Sequence, residues 1–383
     1  MLKRHHEIAV NGSDMAKTKL AIASRGLSSQ PSGPRNYVYN LVQEMIKYNR
    51  AYEIHVFYNH AAHLGTFPTV FEHLIPIKNT ILWDHLFFPF YLWQNGIDIA
   101  LYPKGTISLW QPCKAMTIMF DLGYFYPELN AYKFMNTIYM RMAMKYSATN
   151  ADLIFTISEN TRNDVIKILH ADPQNVITIY GAAPQNYCKE MDQRKLSLIA
   201  NKYKLVDPFI FYPTSLSPRK NILRVLDAYE KIMDKIPHHL YFTGGLAWNS
   251  REIINKLNSL SSERVHLLGI VDQEDMPAVY SLADFSIYPS LFEGLGLPVL
   301  EAFQCGSPIL VSDQTSLPEI VGEAALIANA YSVDELANGM LRLATDEQYK
   351  KILVAKGFLQ AKKFTWEDTV ARLFKGMEKF ELI

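Results

Sequence analysis

The sequence predicts an α/β protein with two doubly wound, Rossmann-like domains that face each other across a cleft. The chain has 383 residues, which is more than one hydrophobic core usually organises. Short apolar segments rich in Ile, Val, Phe and Tyr alternate with helical segments along its length, as in parallel sheets that are covered on both faces. Because ligands of such sheets lie beyond the carboxyl ends of the strands, the chemistry is expected in the cleft.

The first domain is predicted over residues 17–185. It opens with the strand KLAIA, a loop rich in Ser, Gly and Pro, and a helix that carries Tyr37 and Leu41, which is the start of a βαβ unit. Further strands are predicted at EIHVFY (53–58), DIALYP (98–103), AMTIMF (115–120), LIFTIS (153–158) and VITIY (176–180).

The second domain is predicted over residues 208–363, after a polar linker at 186–207. The alternation of strands and helices restarts at FIFYPTS and continues to ALIAN at 325–329. Between them, strands are predicted at HLYFTGG (239–245), VHLLGI (265–270), FSIYPS (285–290) and PILVS (308–312). The last helical stretch, residues 332–383, is interrupted near Phe364 and Thr365.

The composition excludes several classes of protein. Lys and Arg total 38, and so do Asp and Glu, so no net charge attracts nucleic acid and no nucleic-acid partner is expected. Cys113, Cys188 and Cys305 lack the spacing of a disulfide framework or a zinc site, which favours free thiols in a reducing cytoplasm. Residues 1–16 lack the apolar core of a signal peptide and precede the first strand, so they are predicted to be a disordered leader.

One apolar run, ILWDHLFFPFYLW at 81–93, is too short for a membrane span and is interrupted by Asp84, His85 and Pro89. It has two interpretations. The run could lie at a membrane surface, but a buried helix that leads into the next strand is the favoured interpretation.

The segment SLFEGLGLPVLEAFQCGSP, from 290 to 308, carries the strongest chemical signal. Its glycines let backbone N–H groups approach a ligand, and Pro298 suits the first position of a helix whose N-terminus attracts anions. Glu293 lies on the loop and Glu301 about one turn into the helix, so two hydrogen-bond acceptors flank the anion site. Glycine loops before helices are common in α/β proteins, however, and a glutamate there is often favourable dipole chemistry alone.

The whole string resembles the E-x7-E motif of retaining glycosyltransferases of the GT-B fold, in glycosyltransferase family 4, also called the group 1 glycosyltransferases. The resemblance covers roughly residues 17–380. It implies that Glu293 contacts the hydroxyls of the donor sugar and that Glu301 contacts the ribose. It also implies that the loop amides of Leu295, Gly296 and Leu297 hold the donor phosphates.

A second string, SLSPRKNILRVLDAY, places Arg219 and Lys220 before a helix. In the family, cations here pair with the diphosphate and stabilise the leaving group as its charge grows. Relatives often carry a further arginine where Thr214 stands in this chain, so Arg219 is expected to supply that second cation.

In a third string, TIMFDLGYFYPEL, relatives commonly have a histidine before the aspartate, where this chain has Phe120. That histidine usually touches the reacting sugar and phosphate. Either Asp121 and Tyr124 take over the polar role, or activity is reduced. Asp121 is therefore a candidate catalytic residue.

Three further regions complete the resemblance. Gly33, in PSGPRNYVYNL, matches a loop that approaches the donor phosphates. The base is expected near Gly269 and Ile270, where backbone groups after a strand can read its edge. The terminal segment, 364–383, resembles a helix that packs back on the first domain, with Trp366 as a packing anchor.

The resemblance implies retaining transfer from a nucleotide-diphosphate sugar, UDP-sugar favoured over GDP-sugar, to a saccharide or lipid-linked saccharide in polysaccharide biosynthesis. No DxD triplet or other metal-ligand spacing is present, so no metal and no cofactor besides the sugar nucleotide is expected. The expected location is the cytoplasm, with peripheral contact at the inner face of the membrane left open. A sugar-nucleotide 2-epimerase and a catalytically weak sugar-nucleotide-binding protein are the alternatives.

Overall fold

A computed structural model describes residues 17–28, 33–49, 51–245, 249–260 and 263–381. The predicted leader, 1–16, lies outside the described residues. Within them, none of the helices has the length and apolar character needed to cross a membrane.

The first sheet confirms the predicted doubly wound fold of the first half. Its strands are all parallel, and their order in the described part of the chain is β3-β2-β1-β4-β5-β6-β7. The strands are β1 (Thr18–Ala23), β2 (Tyr52–Tyr58), β3 (Phe71–Leu74), β4 (Ile99–Tyr102), β5 (Lys114–Met119), β6 (Leu153–Thr156) and β7 (Val176–Thr178). The edge strand β3 was not predicted, because its four residues are exposed or half-buried and give no apolar run.

The helices of this domain are α1 (Gly33–Tyr48), α2 (Thr80–Leu82), α3 (Phe88–Gln94), α4 (Phe134–Asn150) and α5 (Glu159–Leu169). A wider helical turn, Trp83–Phe87, joins α2 to α3, so residues 80–94 form one helical stretch. Ser158 caps α5, since its side chain accepts a hydrogen bond from the backbone N–H of Thr161.

The helical stretch 80–94 corrects the prediction of a buried helix at 81–93. Its inner face is buried through Trp83, Phe88 and Leu92, which belong to one of the two core clusters. Its outer face is not buried, because nothing in the described chain packs over it. The exposed apolar side chains of that face are Ile81, Leu82, Leu86, Phe90 and Trp93.

The second sheet is also parallel, with the order β10-β9-β8-β11-β12-β13 in the described part of the chain. Its strands are β8 (Phe209–Pro213), β9 (His239–Thr243), β10 (Val265–Leu267), β11 (Phe285–Tyr288), β12 (Ile309–Ser312) and β13 (Leu326–Ala328). The helices after β8 are α7 (Ile222–Glu230), α8 (Arg251–Ser259), α9 (Met276–Leu282), α10 (Leu297–Gln304), α11 (Leu317–Val321), α12 (Val333–Thr345) and α13 (Glu347–Ala361).

The predicted linker at 186–207 contains a further helix, α6 (Gln193–Tyr203). Leu196 and Ile199 are buried in the core, and the helix packs against α9 of the second domain. Asp192 caps it by accepting a hydrogen bond from the N–H of Arg194 at 2.9 Å. Much of this segment therefore belongs to the second domain and does not act as a free connection.

The last helix, α14 (Trp366–Glu381), returns to the first domain. The Trp366 indole donates a hydrogen bond to the Ala183 carbonyl at 3.2 Å, and its ring meets Tyr37 edge to face with 5.1 Å between the centroids. Phe374 stacks on Tyr52 at 5.6 Å. The helix thereby ties the end of the chain to α1 and β2.

One carboxylate links the two domains directly. Glu319, on α11 of the second domain, accepts hydrogen bonds from the backbone N–H groups of Glu159 at 2.9 Å and Asn160 at 3.1 Å, at the start of α5 in the first domain. It also accepts from the Tyr180 hydroxyl at 2.7 Å. An acidic side chain at a helix N-terminus stabilises unpaired backbone donors and the helix dipole.

Candidate functional site

The carboxyl ends of both sheets face a cavity of about 440 Å³. The first domain lines it with residues that include Gly33, Tyr37, Phe120 and Asp121. The second domain lines it with the segments that follow β8, β9, β10 and β11. The cavity therefore lies where two doubly wound domains are expected to bind a ligand.

The topology of the second sheet brings the predicted cations and the predicted glutamate together. Strands β8 and β11 are neighbours in the sheet, and the chain crosses from one side of β8 to the other between them. Arg219 and Lys220 follow β8, whereas Glu293 follows β11. The side chains that follow these two strands meet at the switch point of the sheet.

The turn Pro218–Lys220 that carries the cations is anchored from several sides. The Tyr212 hydroxyl donates to the carbonyl of Lys220, and the N–H of Leu291 donates to the carbonyl of Arg219 at 2.8 Å. Asn221, which has a φ of 60°, donates from its side chain to the Ala330 carbonyl at 2.6 Å. Such anchoring holds a charged site in one geometry before a ligand arrives.

Arg219, Lys220 and Glu293 form an ion cluster inside the cleft. The Lys220 ammonium lies 2.5 Å from Glu293 Oε1, and Arg219 Nη1 lies 3.5 Å from Glu293 Oε2. Lys220 also donates to the Tyr288 hydroxyl at 2.5 Å, and Arg219 donates to the Phe292 carbonyl at 2.8 Å. Lys220 and Glu293 are each only 6% exposed, so the cluster places one net positive charge in a region with little water.

Burial lowers the pKa of the Lys220 ammonium to about 8, and Arg219 adds to this effect against the opposing attraction of Glu293. Burial alone would raise the pKa of Glu293, but Lys220 and Arg219 hold it below its ordinary value. At neutral pH the cluster therefore has two cations and one anion. Two positive groups that share one carboxylate can accept a further anion.

The loop from Gly294 to Leu297 supplies donors beside this cluster. In the described part of the chain, the backbone N–H groups of Gly294, Leu295, Gly296 and Leu297 have no acceptor. Gly296 precedes α10 with a φ of 94°, a conformation that glycine adopts at little cost. Pro298 lies in the first turn of the helix, as predicted. The free amides and the helix N-terminus can hold phosphate oxygens.

Glu301 lines the cavity from the first turns of α10. Its carboxylate accepts a hydrogen bond from the Tyr280 hydroxyl at 2.9 Å. Burial raises the pKa of Glu301 to about 7, and the Tyr280 hydrogen bond lowers it by less. Among the described residues no cation pairs with this carboxylate, so it differs from Glu293, and in its ionised form it can accept hydrogen bonds from neutral hydroxyl groups.

The opposing wall of the cleft is made by Phe120 and Asp121. The Phe120 ring packs edge to face on Tyr37 at 5.2 Å, so the residue in the place of the family's histidine is a packing group. Asp121 accepts a hydrogen bond from the N–H of Gly123 at 2.8 Å. Its charge is close enough to raise the pKa of Arg219, although less than Glu293 does.

Gly294 lies where the two domains approach each other closely. A Cβ atom on this residue would lie 2.0 Å from the carbonyl oxygen of Phe120. The Thr161 hydroxyl spans the same contact, 3.3 Å from the Phe120 carbonyl oxygen and 3.4 Å from that of Gly294. Glycine is therefore required here by the approach of the first domain.

The remaining predicted residues are distributed around the cavity. Gly33 and Ile270 line it, but Gly269 does not. Gly269 instead accepts hydrogen bonds through its carbonyl from the N–H of Gly244 at 2.6 Å and the hydroxyl of Thr243 at 2.8 Å. Its part in shaping the wall is thus indirect.

Several lining residues were not predicted. They include Tyr288, which contacts Lys220, and the backbone of Thr243, Gly244 and Gly245 after β9. A Cβ on Gly244 would lie 2.6 Å from the Thr214 carbonyl oxygen. The Gly-Gly pair at the end of HLYFTGG could have indicated from the sequence that this segment lines the cavity. A tyrosine at the end of an apolar strand, in contrast, is usually interpreted as a core residue.

The arrangement can bind an extended anion and the neutral hydroxyl groups on either side of it. The two cations, the loop amides, Glu293 and Glu301 all line the same cavity, with Glu293 in contact with the cations. Within the described residues, no group of three or more His, Cys, Asp and Glu side chains is placed to hold a metal ion.

Comparison with protein families matches residues 193–359 to the model described as "Glycosyl transferases group 1". The chain is 32% identical over 234 residues to the O-antigen chain mannosyltransferase B of Escherichia coli, which covers 60% of this chain and 61% of the relative. It is 27% identical over 279 residues to the serotype-specific mannosyltransferase WbdA of Escherichia coli, covering 70% of this chain and 34% of WbdA. The chain thus matches less than two thirds of each relative's length.

Among solved structures, the Anabaena HepE protein in complex with UDP and glucose aligns with a TM-score of 0.72 at 15% identity. The alignment covers 94% of this chain and 99% of HepE. At that identity the likeness shows the fold alone, and the fold is GT-B, as the sequence predicted.

Proposed function

We propose that the chain is a glycosyltransferase, because residues 193–359 match the family model described as "Glycosyl transferases group 1". It moves a sugar from a nucleotide-diphosphate donor to a saccharide or lipid-linked saccharide in polysaccharide biosynthesis. The observation that carries the proposal is the cluster of Arg219, Lys220 and Glu293 beside the free amides at the start of α10. A diphosphate supplies the negative charge that balances these cations and free N–H groups.

Mannose is the transferred sugar that the relatives suggest, since two of them are mannosyltransferases. The resemblance to family 4 favours UDP over GDP as the nucleotide, and the mannosyltransferase relatives make GDP-mannose an equal candidate for the donor. Ile270 and the backbone after β10 are proposed to face the base, because they line the cavity on that side.

The donor is proposed to rearrange the ion cluster when it binds. In the structure Glu293 pairs with Lys220 at 2.5 Å. When the donor binds, Lys220 and Arg219 instead donate hydrogen bonds to the diphosphate, and Glu293 accepts hydrogen bonds from the sugar hydroxyls. The ribose hydroxyls donate to Glu301. Charge that develops on the leaving diphosphate is then met by the two cations and by the amides of Leu295, Gly296 and Leu297.

Transfer is proposed to be retaining and independent of metal. The acceptor attacks on the face from which the diphosphate leaves, and a leaving phosphate oxygen takes the acceptor's proton. No side chain is then required as the base, which suits a cleft whose opposing wall carries Phe120. Asp121 is placed to orient the acceptor or the sugar, since it lines the same cavity. Closure of the cleft would exclude water from this step.

The test is a transfer assay with UDP-glucose, UDP-N-acetylglucosamine and GDP-mannose in the presence of EDTA, with the anomeric configuration of the product determined by NMR. Transfer with retained configuration supports the proposal. Inversion, or activity that EDTA abolishes, contradicts the mechanism. An epimerised donor in reactions without acceptor indicates the 2-epimerase, and nucleotide binding without transfer to any acceptor indicates the weak binding protein.

A matched pair of variants connects the activity to the cluster. Lys220→Met removes a buried cation of the cleft, whereas Lys231→Met removes an exposed lysine that pairs with Asp334 at the surface. We expect Lys220→Met to lower transfer by about a hundredfold or more, with Lys231→Met unchanged. Equal activities would show that the cluster is not the donor site.

A further inference from the structure

The outer surface of the first domain carries an unusual concentration of exposed apolar side chains. We call this surface the apolar face and define it as the exposed apolar side chains of residues 81–93, 109–110 and 134–142. Its most exposed members include Trp93 at 62%, Phe134 at 75% and Met142 at 69%. Single exposed apolar residues are ordinary, but a group of this size marks an interaction surface.

Each helix of the apolar face presents a stripe rather than scattered residues. Leu82, Leu86 and Phe90 follow one another at intervals of four along the helical stretch 80–94, which places them on one side. On α4, Ile138 and Met142 have the same spacing. The stretch 80–94 therefore has a buried apolar side and an exposed apolar side. This pattern is typical of helices that have an apolar environment on both sides.

Hydrogen bonds hold the three segments of the face together. His85 Nε2 lies 2.9 Å from the Tyr139 hydroxyl, which joins the stretch 80–94 to α4. The Ser108 hydroxyl donates to the Asp84 carbonyl, and the Tyr146 hydroxyl donates to the Leu109 carbonyl at 2.9 Å. The exposed side chains thus belong to one continuous surface.

Most charges along the segments of the apolar face are positive. Residues 129–151 contain Lys133, Arg141 and Lys145, and the nearest acidic residues in the sequence are Glu128 and Asp152, just outside the two ends of this segment. In the stretch 80–94 the single acidic residue is Asp84, and it is neutralised by Arg25 at 3.0 Å. Apolar side chains bordered by basic ones fit the boundary between the headgroups and acyl chains of anionic lipids.

The segment before α4 packs beside the loop that carries Asp121, and Asp121 lines the cleft. Tyr132 stacks on Tyr124 with 4.0 Å between ring centroids, and its pKa is raised by burial and further by the charge of Asp121. Phe134 begins α4 two residues later. An acceptor whose lipid anchor lies in a membrane below the apolar face would reach the cleft past this segment.

We propose that the apolar face docks the first domain on a membrane surface that carries anionic lipids. A second copy of the chain is a poorer occupant, because a twofold contact would set this positively charged rim against itself. The proposal concerns binding and stands without the transfer reaction, so its test needs no donor and no acceptor.

The experiment is flotation of the purified chain with vesicles of phosphatidylcholine alone and of phosphatidylcholine mixed equally with phosphatidylglycerol. The test variant combines Leu86→Ser, Phe90→Ser and Trp93→Ser. The matched control combines Leu198→Ser, Ile352→Ser and Leu359→Ser, which lie on the second domain with exposures of 68%, 44% and 65%. Circular dichroism verifies that each variant is folded.

We expect the chain to float with the anionic vesicles and at least about tenfold less with the neutral ones, since anionic headgroups attract the basic residues near the surface. The test variant loses vesicle binding about tenfold or more, and the control retains it. Lys145→Glu, on α4, weakens binding to the anionic vesicles alone and reduces its dependence on salt.

Three results would overturn the proposal. One is the absence of flotation with either kind of vesicle. A second is equal flotation of the test variant and the unchanged chain. A third is a change from dimer to monomer in the test variant, measured by light scattering, with vesicle binding unaffected, because that result assigns the face to a second copy.

Discussion

The two domains contribute different chemistry to the cleft and to the outer surface. The second domain gathers its charges inside, where Arg219 and Lys220 lie 3.5 Å and 2.5 Å from the carboxylate of Glu293. The first domain gives the cleft a phenyl ring, Asp121 and backbone groups, and presents its apolar side chains outward at residues 81–93 and 134–142. The second domain therefore has groups that can hold an anion, whereas the first domain has an outer surface suited to lipid.

Under the proposed function, this difference separates the sites of the two substrates. A nucleotide-diphosphate sugar needs fixed cations and amides, which only a preorganised turn and a helix N-terminus provide. An acceptor that is held in a membrane needs a first domain that is docked on that membrane and a cleft that is open to it. Variants of the second domain should therefore affect donor binding and transfer, whereas variants of the outer first domain should affect docking.

The largest effect is expected from the two glutamates of the second domain. Glu293→Ala should lower transfer by about a hundred- to a thousandfold, because the sugar loses its acceptor, while binding of free nucleotide diphosphate is largely spared. Glu301→Ala should weaken both transfer and nucleotide binding, since it removes the ribose contact. Transfer is measured as a rate and binding of the nucleotide diphosphate by calorimetry. If the two variants lose transfer and binding to the same extent, the assigned roles are contradicted.

The contact between the domains gives the next largest effect. Gly294→Ala places a Cβ 2.0 Å from the Phe120 carbonyl oxygen, so the domains must separate. We expect a larger radius of gyration by small-angle X-ray scattering and a loss of transfer of at least tenfold. A variant with unchanged scattering and activity would show that this approach is not needed for function.

A pH profile distinguishes the two ends of the donor site. Burial raises the pKa of Glu301 to about 7, so nucleotide binding should strengthen as pH rises through that value and the carboxylate ionises. Burial lowers the pKa of Lys220 to about 8, so binding should weaken as the ammonium is lost above that value. Affinity therefore peaks between about 7 and 8. In Glu301→Gln the rise on the acid side should disappear, and a persistent rise would assign it to another group.

The smallest effect is expected from the link between the domains. Glu319→Gln weakens the cap on α5 and should cost about 0.5–2 kcal/mol in the free energy of unfolding. Glu323→Gln is the matched control, since that glutamate pairs with Lys356 at the surface and is close by in sequence. Unfolding by denaturant measures the free energy of unfolding of the two variants. Equal values would show that Glu319 does not stabilise the contact between the domains.

Much of the fold could be predicted because its signals are local. Short apolar strands and the loop before α10 are recognisable from a few adjacent residues, and the meeting of Lys220 with Glu293 follows once β8 and β11 are neighbours. Helix α6 was missed because its polar residues resemble a linker until Leu196 and Ile199 are seen to be buried.

Other features depend on tertiary packing that no local pattern records. The exposure of Phe90 and Trp93 could not be predicted, because the same apolar run is compatible with a buried helix. The contact of Glu319 with α5 joins residues about 160 positions apart and has no sequence motif. Tyr288 and Tyr280 were not predicted as site residues, although their hydroxyls contact Lys220 and Glu301.

The central claim is that the cluster of Arg219, Lys220 and Glu293 holds the diphosphate of a sugar nucleotide. Thermal unfolding with UDP, GDP, their monophosphates and their sugar conjugates tests it most directly, because a ligand of the folded state raises the unfolding midpoint. We predict a higher midpoint with a diphosphate or its sugar conjugate than with the corresponding monophosphate, and no such gain in Lys220→Met. An unchanged midpoint with every nucleotide would contradict the account.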